Sequence, residues 1–307
     1  MERRVVLALV TAVVAVSFSS IFIRFSHAPA IALSFYRLAL SLPILALLGL
    51  MGARRGSVQR AVRGPLAHAR GAALRDIAAM LASGVFLALH FAVWIASLAY
   101  TTVASSVVLV TSHPLFVAAL GLLVGDDRLP PGAYLGGGLA VLGTVLIGWG
   151  DYALGGPALY GDFLAFLGAL FISGYIVIGR DVRRRVDNLA YTLWVYAAAA
   201  AVLAAVAAAA GVPLWPYPAG EWLIFLALAV VPTIFGHTLF NWALGHVPAA
   251  AVSIVILGEP VGSTLLAWLF LGETPTVPEA VGGAVILAGL VYFSLSMRRV
   301  EAAPEPA

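Results

Sequence analysis

The sequence predicts an all-α polytopic membrane protein, built as ten transmembrane helices in two inverted five-helix repeats with both termini cytoplasmic. Three observations predict it. The 307 residues are 62% hydrophobic and 10% charged, with a mean hydropathy of +1.03, far more apolar than a soluble domain of this length. Apolar runs of roughly 20 residues recur from end to end, each long enough to cross a hydrocarbon core about 30 Å thick as a helix. Of the 17 basic residues, all except Arg24 and Arg37 fall in segments that share one side if every run crosses once. That excess marks the side as cytoplasmic.

The first run, 5–24, lacks a small-residue cleavage site and is followed by many more, so it reads as a retained helix with Ser17, Ser20 and Arg24 along one stripe. The second, 30–50, holds Arg37 below its outer end, deep enough to need a partner. An arginine-rich connection follows, a solvated cytoplasmic loop able to touch anionic headgroups. The third run, 77–99, places His90 and Trp94 one helical turn apart on one face, continued by Ser97. The fourth, 102–124, carries His113 and Pro114 near mid-depth, and the fifth, 132–150, is glycine-rich.

The sixth, 160–179, brings Ser173 and Tyr175. The seventh, 189–210, is alanine-rich, which lets helix backbones approach where lipid supplies no hydrophobic drive. The eighth, 221–244, places His237 and Asn241 on one face, as His90 and Trp94 lie on the third. Glu259 and Pro260 sit about ten residues into the ninth run, 249–271, some ~15 Å deep at 1.5 Å per residue. The tenth, 277–297, is again glycine-rich, and Arg298 and Arg299 close it. On the outer side fall Asp151, Asp162, Glu221, Glu273 and Glu279, expected to be exposed, with Trp149, Tyr152, Trp215, Tyr217 and Trp222 as an interfacial aromatic belt.

The segment from Ser112 aligns with that from Gly258 at a constant shift of 146 residues. His113-Pro114 matches Glu259-Pro260, Gly136 matches Gly282, and Gly143 matches Gly289. One step upstream His90 and Trp94 match His237 and Asn241. The reading is a duplication of five spans, residues 1–155 and 156–307. Five is odd, so the second copy enters the membrane the other way round, an arrangement recurrent among transporters because two similar halves can expose a central site to each side in turn.

With Arg37 in ALSFYRLAL, the paired Pro114 and Glu259-Pro260 segments, and the glycine-rich spans after GDDRLPPG and LGETPTVPE, the chain resembles the ten-helix EamA-type branch of the drug/metabolite transporter superfamily. Where the branch usually has a glutamate after the fourth span, this chain has Asp126-Asp127. The resemblance implies a secondary transporter of small organic metabolites, often amino acids exported from the cytoplasm, with a central cavity between the halves.

Ionisable side chains in hydrocarbon cost at least ~2–3 kcal/mol and face a cavity or a partner, which nominates the substrate-binding set His90, Trp94, His113, His237, Asn241, Glu259 and Arg37. Glu259 would hold an amine or exchange a proton, and with His113 it offers proton coupling. Arg37 would grip a carboxylate or lock helices through carbonyls and Glu259. Pro114 and Pro260, each removing a backbone hydrogen bond, are the hinge positions.

Absences narrow the classes. There is no lysine and no cysteine, so a phosphate-cradling P-loop, a Schiff base and thiolate chemistry are excluded. No ATPase unit and no cofactor are expected, and the isoelectric point near 9.4 reflects orientation rather than nucleic-acid binding. Two other readings use the same residues: an intramembrane hydrolase or lipid phosphatase built on Glu259, His113 or His237 and Arg37, and a channel. A zinc site from His90, His113, His237 and Glu259 lacks the spacing of a helical ligand pair.

Overall fold

A computed structural model describes residues 3–51, 70–123, 130–243 and 255–301. Every regular element among them is helical. Most of the arginine-rich loop, the Asp126-Asp127 pair and the expected start of the ninth span lie outside the described residues. In chain order the helices are α1 (Arg3–Ser17), α2 (Ser19–Phe25), α3 (Ala30–Ala39), α4 (Ser41–Met51), α5 (Arg70–Ser97), α6 (Val103–Val110), α7 (His113–Leu123), α8 (Pro131–Leu154), α9 (Gly156–Val182), α10 (Asn188–Ala209), α11 (Ala219–Leu228), α12 (Leu239–Ala243), α13 (Gly258–Leu271) and α14 (Val277–Glu301). A π-helical stretch, Ala229–Thr238, joins α11 to α12. Eight helical segments among the described residues are long and apolar enough to cross a membrane.

The expected fourth and ninth spans are not continuous helices, and the local chemistry explains why. Between α6 and α7 the Thr111 hydroxyl bonds back to the Val107 and Val108 carbonyls at 2.8 and 3.0 Å, and Ser112 to Leu109 at 2.6 Å. Such back-bonding competes with the ladder, and Pro114 then offers no N–H to continue it. The helix restarts at His113, which puts Pro114 in a first turn, where a missing N–H costs little. A turn at Leu257 likewise precedes α13, with Pro260 in its first turn. The prolines thus open new helices; they do not kink old ones.

The eighth span is distorted for a related reason. Pro232 removes an amide inside the Ala229–Thr238 stretch, and the Thr233 hydroxyl takes up the Leu228 carbonyl at 2.8 Å, five residues back. The register widens to the π form, a feature frequent at functional sites.

Close packing comes from glycine. On α8 and α14, a Cβ at Gly136 would strike the Gly289 carbonyl, and one at Gly143 would strike that of Gly282. Gly282 meets Gly143 and Gly289 meets Gly136 in return. The Gly136–Gly289 and Gly143–Gly282 approaches are therefore reciprocal, each glycine meeting the carbonyl of the other. Outward-facing Leu7, Leu50, Leu142, Val145 and Leu269 are exposed, as suits a lipid-facing surface. Of the expected aromatic belt, Trp149 and Trp215 are exposed, whereas Tyr217 and Trp222 are partly buried against Tyr36 and Phe225, and the Tyr152 side chain lies outside the described residues.

The outer acids correct the sequence reading. Asp162, Glu221 and Glu279 are buried, because each accepts hydrogen bonds from a neighbouring chain end. Glu221 takes Ser26 and the His27 amide, the latter at 2.8 Å. Glu279 takes Thr102, Ser105 at 3.1 Å and the Thr276 amide at 2.6 Å. Asp162 takes Thr101 at 2.9 Å. Glu273 pairs with Arg24 and accepts the Val103 amide at 3.0 Å, at the start of α6 where the helix dipole favours an anion. Together they link helix ends at the end of the bundle opposite Arg180–Arg185.

Candidate functional site

A cavity of about 480 Å³ lies inside the helices, a size suited to a small solute. All seven residues nominated from the sequence line it. His90 and Trp94 enter from α5, His113 from the first turn of α7, His237 and Asn241 from the π stretch and α12, Glu259 from the first turn of α13, and Arg37 from α3. Val110, Ile172, Ile176, Ile256 and Phe240 complete a largely apolar wall.

The polar groups are held in fixed attitudes. His90 Nδ1 lies 2.9 Å from the Gly168 carbonyl, which can only accept, so Nδ1 carries the proton. In a neutral ring that leaves Nε2 as an acceptor. The His90 and Trp94 rings stack with centroids 6.0 Å apart and planes 4° from parallel, and Phe91 meets His237 edge-on at 5.9 Å. Gly168 permits this, because a Cβ there would press on Trp94 and Val110 at 3.2 and 3.3 Å. The carbonyl of His113 accepts Ser173 Oγ at 3.0 Å, tying the break to α9.

Arg37 is completely buried, and its partners differ from those expected. Its Nε donates to Thr233 Oγ1 at 3.0 Å, one Nη donates to Ser19 Oγ at 3.1 Å, and the guanidinium lies 4.0 Å over the Phe91 ring. The expected carbonyls and Glu259 are not among these partners: two hydroxyls and a ring hold the guanidinium, and it forms no ion pair among the described residues. Glu259 likewise has no hydrogen bond or ion pair among them. Two buried donors, Trp94 Nε1 and Asn241 Nδ2, line the cavity without a hydrogen-bond partner. Unpaired buried donors are costly, so this pair is set for acceptor oxygens.

Other sequence expectations fare differently. Ser17 and Ser20 are buried off the cavity, Ser17 bonding Val13 at 2.8 Å, and the hydroxyl that reaches the wall on this helix is Ser19. Ser97 turns to Ser106 at 2.7 Å and does not join the His90 face. Tyr175 lines the cavity, as does Tyr191, which the sequence did not single out. The conceivable zinc set does not converge, for no three metal-binding side chains come together among the described residues. Arg180, Arg183 and Arg184 also line the cavity, although charge asymmetry alone had explained them as topology signals. Nothing in linear spacing distinguishes an arginine facing a cavity from one facing water.

Comparison with known proteins gives the chain relatives. The EamA-like transporter family matches it twice, over residues 3–149 and 159–295. An uncharacterized transporter of Archaeoglobus fulgidus is 26% identical over 298 residues, 95% of this chain and 97% of that one. A Streptantibioticus cattleyicolor protein named "probable terminal-alkyne amino-acid exporter" is 40% identical, but over 60 residues, 20% of each chain. A protein of known crystal structure superposes with a TM-score of 0.63 and 21% identity, covering 98% of this chain and all of its own, which speaks for the fold alone.

Proposed function

Because the chain belongs to the EamA-like transporter family, a family of membrane transporters and not of enzymes, we propose that it is a secondary transporter that exports small organic metabolites, amino acids above all, across the cytoplasmic membrane by alternating access. The observation that carries this reading is the cavity itself, which has exposed Arg180 and Arg184 on its rim, while Glu221 and Glu273 tie helix ends together at the opposite end. By the positive-inside rule the open end is cytoplasmic, so the cavity stands ready to load from inside. The double family match and the reciprocal glycine contacts support two inverted repeats, 1–155 and 156–307.

The lining suits a solute with an amine, a carboxylate and an apolar body. Glu259 takes the amine, Trp94 Nε1 and Asn241 Nδ2 take the carboxylate, His90, His113 and His237 complete the polar wall, and the apolar side chains take the rest. Arg37 sets the field around the carboxylate while its own contacts keep it in place. The interrupted helices at Pro114 and Pro260 are the hinges about which each half rocks. The short amino-acid-exporter match, over one fifth of the chain, favours amino acids as cargo.

The test is counterflow in proteoliposomes of purified protein with a panel of amino acids, with and without a proton gradient. Saturable exchange is expected; conductance without saturation points to a channel, and turnover of a lipid phosphate to a hydrolase. Glu259→Gln is expected to cut exchange at least about tenfold, the size of one lost charge-assisted contact of ~1.5–3 kcal/mol. Full flux with unchanged pH dependence in that variant removes both its amine and its proton role.

A further inference from the structure

Four arginines cluster at the end of α9, and the structure sorts them into two kinds. Arg185 faces away from the cavity and is neutralised, bonding Asp181 at 2.9 Å and Asp76 at 3.0 Å. Their carboxylates hold its guanidinium above its usual pKa. Arg180, Arg183 and Arg184 line the cavity, and none forms an ion pair among the described residues. Arg183 is braced by Asn188, while Arg180 and Arg184 are exposed at the rim. Topology requires positive charge on this side, but it is indifferent to which arginines are paired and which point inward.

The charge balance runs in one direction. Four arginines line the cavity, counting Arg37 at its closed end, against a single carboxylate, Glu259. Low-dielectric walls focus such a field and concentrate ions of opposite sign at the mouth. Deeper in, the wall offers orphaned donors, Trp94 Nε1 on a side chain 4% exposed and Asn241 Nδ2. The rim supplies long-range attraction and the interior supplies directed donors, and both ask for the same chemistry.

We propose that Arg180, Arg183 and Arg184 form a carboxylate-receiving vestibule, and that the transporter selects amphipathic solutes by a free carboxylate while rejecting cations of the same shape. This rests on the carrier reading above and specifies its cargo. A solute enters carboxylate first, is drawn past the rim and exchanges the arginines for Trp94 and Asn241, while its apolar body meets Ile172, Ile176 and Phe240. Free carboxylate, not amine, is the admission group.

The experiment is competition against counterflow of phenylalanine, or of whichever amino acid exchanges fastest in the panel. The competitors are its N-acetyl derivative, the free amino acid and its amide, at mildly acidic pH and low salt. The three share one apolar body and carry net negative, zero and net positive charge. The amide is expected to compete at least about tenfold more weakly than the free acid, the N-acetyl derivative to fall between them because it keeps the carboxylate and gives up the Glu259 contact, and raised salt to narrow the gap between acid and amide, since screening shortens the reach of the rim charges. Joint replacement Arg180→Gln with Arg184→Gln, both exposed, is expected to raise half-saturation severalfold for the carboxylates and to strengthen competition by the cationic amide, which the rim no longer repels. An amide that competes as well as the free acid, or an equal shift for all three in the variant, overturns the vestibule and leaves the carrier standing. No exchange of any amino acid overturns the carrier reading and the vestibule with it.

Discussion

Arg24 and Glu273 form an ion pair across 249 positions of sequence, joining the end of α2 to the connection after α13. The same carboxylate holds the Val103 amide that begins α6, and Arg24 also donates to the Leu98 carbonyl at 2.6 Å. Three segments meet at these two side chains on the closed end of the bundle. An exposed pair alone is worth little, but the added backbone bonds bring the set to about 1–2 kcal/mol. On the alternating-access reading proposed above, Glu273→Gln removes the ion pair but keeps an oxygen for the Val103 amide, and is expected to favour an open outer end severalfold. The chain has no cysteine, so an Ala267→Cys reporter below the pair gives a clean readout. Its labelling by a membrane-impermeant thiol reagent from the outer side is expected to rise several-fold in the Glu273→Gln background. An unchanged rate means the pair does not gate.

Arg37 supplies a second prediction. Its two hydroxyl partners and the Phe91 face need a planar guanidinium, which an ammonium group does not replace. Arg37→Lys is expected to lower stability by about 2–4 kcal/mol, in the range for breaking a buried charge network. Thermal unfolding in detergent checks it. A variant that melts as the parent does, yet loses exchange, assigns Arg37 to the cargo and not to the scaffold.

The helix breaks give a third. Pro114→Ala and Pro260→Ala each restore an N–H able to bond four residues back, joining α6 to α7 or extending α13 backward. A stiffer connection is expected to slow turnover by about tenfold, one helix bond of ~1 kcal/mol or more, while membrane insertion stays normal. Exchange rates equal to the parent at equal expression remove the hinge assignment.

Glycine packing gives a fourth, independent of transport. Gly143→Ala places a methyl against the Gly282 carbonyl and Ile286, an overpacking expected to cost about 1–3 kcal/mol. Gly138→Ala meets nothing within 4 Å and is expected to be neutral or stabilising. Equal melting temperatures for the two variants contradict the close α8–α14 contact.

The sequence by itself determined the class of molecule and which of its polar residues stand inside apolar runs. Apolar runs, arginine asymmetry and isolated ionisable groups are local or compositional signals, and each polar residue inside a run is conspicuous because hydrocarbon penalises it. That makes His90, Trp94, His113, His237, Asn241, Glu259 and Arg37 stand out in the sequence, and all seven line one cavity. Only the tertiary structure decided what each of them faces. Ser19 and Thr233 hold Arg37 from 18 and 196 positions away, Glu221 turns inward to Ser26 and His27 from another helix, and three of four neighbouring arginines point into the cavity while the fourth is neutralised by acids. Hydropathy reports how far a residue sits from water along its own helix. Its partner is set by how that helix is rotated and packed against others, and that information is spread over residues hundreds of positions apart.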